Sequence, residues 1–185
     1  VAWTAPITFV TGSQLLAAQL NTYLRDNSNF LFDPPMCLAQ STANLSVTTG
    51  GTGTIVPFAA ADIYDTDTMH DNAGAPTLIT PKTAGVFFWT ADVQFAGNAT
   101  GSRWMQISNS AVQNPIITHQ SELGPSGNPC RLSASGFWPL NAAAIAAVTS
   151  FGVFVFQSSG ANLTLTGVTG GAPCYFAARW CGPYP

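Results

Sequence analysis

Between Val86 and Phe95 the chain alternates with a period of two. Phe87, Trp89, Ala91, Val93 and Phe95 are all apolar, and Thr90, Asp92 and Gln94 fall between them. Successive side chains of a strand point to opposite faces, so this segment must lay one face against a core. Asn162-Leu163-Thr164-Leu165-Thr166 alternates in the same way. Phe151-Gly152-Val153-Phe154-Val155-Phe156 is apolar throughout, the pattern of a strand covered on both faces. Ser158-Ser159-Gly160, between these two, reads as a hairpin turn. Further strands are expected at 103–108, 116–122, 131–137 and 175–180, and a short helical turn at 142–147. Strands in succession with no long helix between them predict a mainly β fold, an antiparallel sandwich or jelly roll.

The opening residues follow a different period. Leu16, Leu20, Tyr23, Leu24 and Asn27 recur at helical spacing, and Phe30 and Leu31 extend the stripe. Thr11 or Ser13 is placed to cap the helix start, and Asp33-Pro34-Pro35 stops it, because proline cannot continue a helix and restricts the residue before it. Two regions follow: 1–34, a segment with one helix, and 35–185, a β domain.

Charge narrows the function. Only 7% of residues are charged, against about 25% in an average soluble domain, while 12 Phe, 5 Trp and 4 Tyr supply ample core. Ser, Thr, Asn and Gln total 54, so the surface is polar without being charged, which suits dense packing among neighbours. A net charge of −3 with one lysine leaves no basic stripe for nucleic acid. The apolar run from Leu140 to Phe156 is broken by Asn141, Thr149, Ser150 and Gly152 and is shorter than the ~20 residues of a membrane span, so no membrane insertion is expected. The first residues show no signal-peptide pattern.

Few groupings suggest chemistry. The histidines are His70 and His119, the only glutamate is Glu122, and no G-x-S-x-G elbow occurs, so no enzyme is expected. Asp62-x-x-Asp65-x-Asp67-x-x-x-Asp71 places four carboxylates close together. Such spacing could hold calcium, or the carboxylates could close turns on their own backbone. No other cofactor is expected. The glycines at 50, 51 and 53 lack the Gly-Lys-Ser/Thr of a phosphate loop and read as a loop before a strand. Cysteines 37, 130, 174 and 181 lack zinc spacing and read as reduced, mostly buried residues. A Cys37–Cys181 bridge requires the first and last strands to be neighbours. Trp104 and Trp138, with the Asp62–Asp71 turn, are the candidates for carbohydrate binding.

Two stretches resemble known families. Trp3-Thr4-x-Pro6-x-Thr8-Phe9-Val10-Thr11-Gly12, followed by Leu20-Asn21-Thr22-Tyr23-Leu24-Arg25-Asp26-Asn27-x-x-Phe30-Leu31, is similar to the N-terminal segment of tailed-bacteriophage virion proteins, especially of phages of actinobacteria. In that family the segment joins a surface protein to the particle, which implies an anchoring role for Trp3, Leu16, Leu20, Tyr23, Leu24, Arg25 and Asp26. Tyr64-Asp65-Thr66-Asp67-Thr68-Met69-His70-Asp71, Thr77-Leu78-Ile79-Thr80-Pro81-x-x-Ala84-Gly85-Val86-Phe87, Phe156-Gln157-Ser158-Ser159-Gly160 and Pro173-x-Tyr175-Phe176-x-x-x-Trp180-x-Gly182 resemble the C1q/TNF-like jelly roll of phage fibre proteins. Cys174, Cys181 and an insertion around 121–130 depart from that pattern. The resemblance implies a homotrimer, with Tyr175, Phe176 and Trp180 of the last strand facing the threefold axis. It implies a structural protein on the virion surface, bound to a capsid or tail protein. Such a protein decorates the shell, or is a minor tail or tail-fibre protein whose jelly roll binds a host cell-surface glycan.

Overall fold

The computed structural model describes residues 4–109, 114–123, 128–167 and 173–184. After an extended start, one continuous helix runs through α1 (Ala17–Leu20), a π-helical stretch (Asn21–Asp26) and α2 (Asn27–Phe32). It begins later than the caps at Thr11 and Ser13 would place it. Ser13 instead closes the turn before the helix, its hydroxyl and its N–H both donating to the carbonyl of Val10 at 2.7 and 3.1 Å. The Gln19 side chain accepts the Leu16 N–H at 3.2 Å. Asp33-Pro34-Pro35 ends the helix as expected.

Thirteen strands follow among the described residues: β1 (Met36–Ser41), β2 (Leu45–Val47), β3 (Gly50–Ile55), β4 (Tyr64–Asp65), β5 (His70–Asp71), β6 (Ala75–Ile79), β7 (Gly85–Phe95), β8 (Ser102–Asn109), β9 (Asn114–Leu123), β10 (Cys130–Leu140), β11 (Phe151–Gln157), β12 (Leu163–Leu165) and β13 (Cys174–Gly182). A short helix, α3 (Ala142–Ala146), separates β10 from β11. The strands form two antiparallel sheets. The first has the order β2-β12-β7-β13-β1-β4, with β10 also paired to β7. The second has the order β5-β6-β11-β8-β9, with β3 also paired to β11.

The core lies between the sheets. β7 supplies Phe87, Trp89, Val93 and Phe95, all fully buried, while its intervening residues are half-buried, as the alternation predicts. The Trp89 ring meets Phe151 of the second sheet at 4.6 Å and Phe176 of its own sheet at 5.8 Å. Burying a large apolar side chain of this kind stabilises the fold by roughly 1.5–3 kcal/mol. All seven residues of β11 are buried, as its unbroken apolar run requires.

Two expectations change. Ser158–Gly160 is not a hairpin turn. β11 already has β8 on one side and β3 and β6 on the other, so the chain leaves the second sheet and joins the first as β12. Gln157 secures the crossing. Its amide donates to the carbonyls of Val47 (3.0 Å) and Ala161 (2.7 Å) and accepts the Ser159 N–H (2.7 Å). The glycines at 50–53 belong to a strand, β3, rather than a loop. A Cβ on Gly53 would come within 2.6 Å of the Phe156 ring, so glycine is what lets that ring lie over the strand.

Candidate functional site

The N-terminal segment is fastened to the rest at few points. Asn27, 5% exposed, accepts the Thr4 N–H at 3.0 Å and donates to the Thr4 carbonyl at 2.8 Å, which ties the extended start alongside the helix. Phe30 packs edge-on against Trp180 at 4.7 Å and docks the helix on the first sheet. Asn27 and Phe30 are the helix's buried residues. The stripe read from spacing divides: Asn27 and Phe30 are buried, whereas Leu16, Leu20, Leu24 and Leu31 are exposed. Tyr23 is half-buried, and Arg25 is exposed and pairs with Asp26 at 2.8 Å. Trp3 lies outside the described residues. Among the described residues no helix is long and apolar enough to cross a membrane.

The second surface is the outward face of the first sheet. Register places Arg179 opposite both Met36 and Phe88, and Phe88 opposite Phe137. The Phe88 and Phe137 rings meet at 5.1 Å. A cleft of about 350 Å³ opens there between Leu31, Pro34, Phe88, Phe137, Arg179 and Cys181. A second, of about 290 Å³, lies between Leu38, Ile63, Thr90, Asp92 and Tyr175. The assignment of the last strand's aromatics therefore needs correction. Tyr175 does face outward, but Phe176 and Trp180 are 0% and 4% exposed and point into the protomer's own core. Side chains two apart on a strand share a face, so these two sit together on the side opposite Tyr175. The outward positions are Tyr175, Ala177, Arg179 and Cys181.

The aspartates expected as metal ligands are used elsewhere. The Asp65 carboxylate accepts the backbone N–H groups of Met69 (2.9 Å), His70 (2.8 Å) and Asp67 (3.3 Å). Asp71 closes its own turn on Gly74 and Ala73, and those two N–H donors hold its carboxyl below the usual range. Asp62 meets His70 Nδ1 at 2.8 Å. Burial pushes Asp67 up, aided by the Asp65 charge and opposed by Lys82 and by the Thr83 hydrogen bond. Among the described residues no three His, Cys, Asp or Glu side chains come together as a metal site. Asp65 and Asp71 each close a turn of backbone, while Asp62 engages the His70 ring. The two tryptophans are also apart. Trp104 lies on the second sheet, its ring stacked on Phe156 at 5.1 Å and 4°. Trp138 lies on the first sheet, beside a cleft that also holds Tyr184.

No protein-family model matches the chain, and no curated protein matches it by sequence. Solved structures do. The globular domain of zebrafish complement 1qA matches 80% of this chain and 98% of its own at 10% identity, with a TM-score of 0.52. Murine APRIL (crystallised at pH 8.5) matches 77% of this chain and 97% of its own at 11% identity and a TM-score of 0.51. The Eiger TNF of S. frugiperda matches 82% and 96% at 10% identity and a TM-score of 0.50. The β domain has the jelly-roll fold seen in C1q and TNF.

Within that jelly roll no disulfide joins the four cysteines among the described residues. The first and last strands are indeed neighbours, but Cys37 faces Ala178, and Cys181 lies exposed beyond the Met36–Arg179 pair. Burial raises the Cys37 and Cys174 thiols, which disfavours the nucleophilic thiolate. Sequence reasoning missed Asn27 as the segment's clamp. It also missed Arg103, fully buried and donating to the carbonyls of Asn98 (2.7 Å) and Gly101 (3.1 Å), which shapes the loop between β7 and β8. A polar residue inside an apolar stripe was the available signal for Asn27. For Arg103 the strand alternation alone gave the inward face.

Proposed function

We propose that this chain is a structural protein of a bacteriophage particle surface. Three copies join through the outward face of the first sheet, and the N-terminal segment seats the assembly on another virion protein. The observation that carries the reading is where exposed apolar area lies. Of the 15 exposed large hydrophobic residues among the described residues, nine fall between Ile7 and Phe32, a segment of 26 residues. Exposed apolar area so concentrated marks a docking surface. The virion motifs at 3–31 supply the kind of partner, and a low surface charge suits a crowded shell.

The same logic supports the trimer. Leu38, Ile63, Phe88, Phe137 and Tyr175 share the outward face of a sheet whose other face is already the core. A closed ring of identical copies covers such a face without leaving an open edge. Shell decoration is the favoured position. Light scattering of the full chain at micromolar concentration should give three times the protomer mass, and the chain should co-sediment with particles. A monomer that stays off the particles would overturn the reading. A low copy number per particle would move it from the shell to the tail.

A further inference from the structure

We propose that the cleft between Trp138 and Tyr184 binds a neutral saccharide. The cleft has a volume of about 250 Å³ and sits at one end of the sandwich, where the end of β10, the start of α3, the start of β11 and the end of β8 converge. It is smaller than the ~300–1,000 Å³ of sites for drug-sized ligands and suits one pyranose ring with its substituents.

Its lining selects the chemistry. Trp138 is 38% exposed and Tyr184 46%, so two aromatic side chains offer surface at its walls. An aromatic face is an apolar platform with a negative quadrupole, matched by the C–H face of a sugar ring. The polar groups are Asn109, Asn141 and Thr149, amides and a hydroxyl. Asn141 spends its Oδ1 on the Ala144 N–H at 2.8 Å, so its amide N–H pair is what it offers a ligand. Among the described residues no charged side chain lines the cleft, which disfavours phosphates, carboxylates and cationic peptides. A ring with one apolar face and a rim of hydroxyls satisfies both kinds of wall.

The backbone at this wall is strained. Val148 adopts a φ of 52°, a left-handed conformation rare for a β-branched residue. It occupies the position after α3 that glycine usually takes: its N–H donates to Ile145 at 3.0 Å, and that of Thr149 to Ala144 at 3.1 Å. That turn seats Thr149 in the cleft. Strain kept by a valine where glycine would relieve it is a feature found at binding sites.

The test is a printed array of neutral hexose and N-acetylhexosamine oligosaccharides, with sialylated and uronic-acid members for comparison, probed with the full-length protein. Binding to at least one neutral member is expected. Trp138→Ala should weaken it by about tenfold or more. Trp138→Phe, which keeps a platform, should hold it within about threefold, and Thr149→Val should give an intermediate loss. Trp104→Ala, on the other sheet, should leave it unchanged. Thermal unfolding of each variant separates lost binding from lost fold, and Trp138→Phe decides if Trp138→Ala does not fold. Silence across the neutral members, binding to acidic members alone, or equal binding by a folded Trp138→Ala protein would overturn the proposal. None of these outcomes depends on particle attachment.

Discussion

The helix from Ala17 to Phe32 and the strand β11 are both rich in large apolar residues, but they use them in opposite ways. Every residue of β11 is buried, whereas of the helix's side chains only Asn27 and Phe30 are. The strand is covered by paired strands at both edges and side chains on both faces. The helix touches the jelly roll along one narrow line. Two levels of cohesion follow: a domain that unfolds as a unit, and a segment that can open locally while the domain stays intact.

Trp89→Ala tests the domain and should have the largest effect. It removes a fully buried ring that bridges the two sheets, and such substitutions cost about 3–5 kcal/mol. Urea unfolding should show the loss as a lower midpoint with an unchanged slope. Leu24→Ala removes an exposed side chain of similar hydrophobic character and should shift the midpoint by no more than about 0.5 kcal/mol, while reducing particle co-sedimentation. If Leu24→Ala destabilised the isolated chain as Trp89→Ala does, the contrast between the regions would fail.

Asn27→Ala tests the segment. It strands the N–H and carbonyl of Thr4, a loss of about 1–3 kcal/mol felt locally. Hydrogen exchange at Thr4 should accelerate and proteolysis near the helix should increase, with β7 and β11 as protected as before. Exchange that rose uniformly across the β strands would mean that segment and domain form one cooperative unit.

Val148→Gly should have a smaller, opposite effect. Val148 is 67% exposed, but unlike Leu24 its exposure follows from a left-handed backbone at the end of α3. Glycine removes the steric cost of that conformation, roughly 1–2 kcal/mol, and returns part of it as unfolded-state entropy. A net gain of about 1 kcal/mol is expected in the urea midpoint. No gain would show that the turn is relaxed with valine in place.

Periodicity carried most of this architecture. The two-residue alternation at 86–95 reappears residue by residue as the burial pattern of β7, whereas the helical stripe splits between buried Asn27 and Phe30 and exposed Leu20 and Leu24. The resemblance placed Tyr175, Phe176 and Trp180 together at the threefold axis, but adjacent residues of a strand point to opposite faces, and Phe176 and Trp180 take the core side. Ser158-Ser159-Gly160 has the composition of a tight turn, but the neighbours that decide β11's pairing, β3 and β8, are set by distant sequence. The aspartate spacing was legible as a cluster, yet the nearby backbone N–H groups that claim Asp65 and Asp71 were not. The cleft of Trp138, Tyr184, Asn109 and Thr149 draws on four separated stretches, and no local pattern announces it.

The smallest expected effect lies at the seam between the two regions. Asp67 lines a crevice with Asn29, Phe30 and Asp33 of the segment, next to Thr66, whose hydroxyl donates to the Pro34 carbonyl at 2.9 Å. Burial, with the nearby Asp65 charge, raises Asp67 above the ordinary carboxylate range, although Lys82 and Thr83 partly offset this. A carboxyl whose folded-state pKa is raised binds its proton more tightly in the folded chain. Above that pKa its ionised form therefore subtracts from stability, and as pH falls through it the penalty disappears. Asp67→Asn is never ionised and should be the more stable chain near neutral pH. The difference should shrink toward zero as both proteins are acidified from about pH 7 to about pH 4. Paired urea titrations at the two ends would read it, and proteolysis of the helix should slow in parallel in the variant at the upper end. A gap that kept its size across the range would mean that Asp67 acts through shape and hydrogen bonding and not through charge, and the seam would then hold the segment with the same strength at every pH.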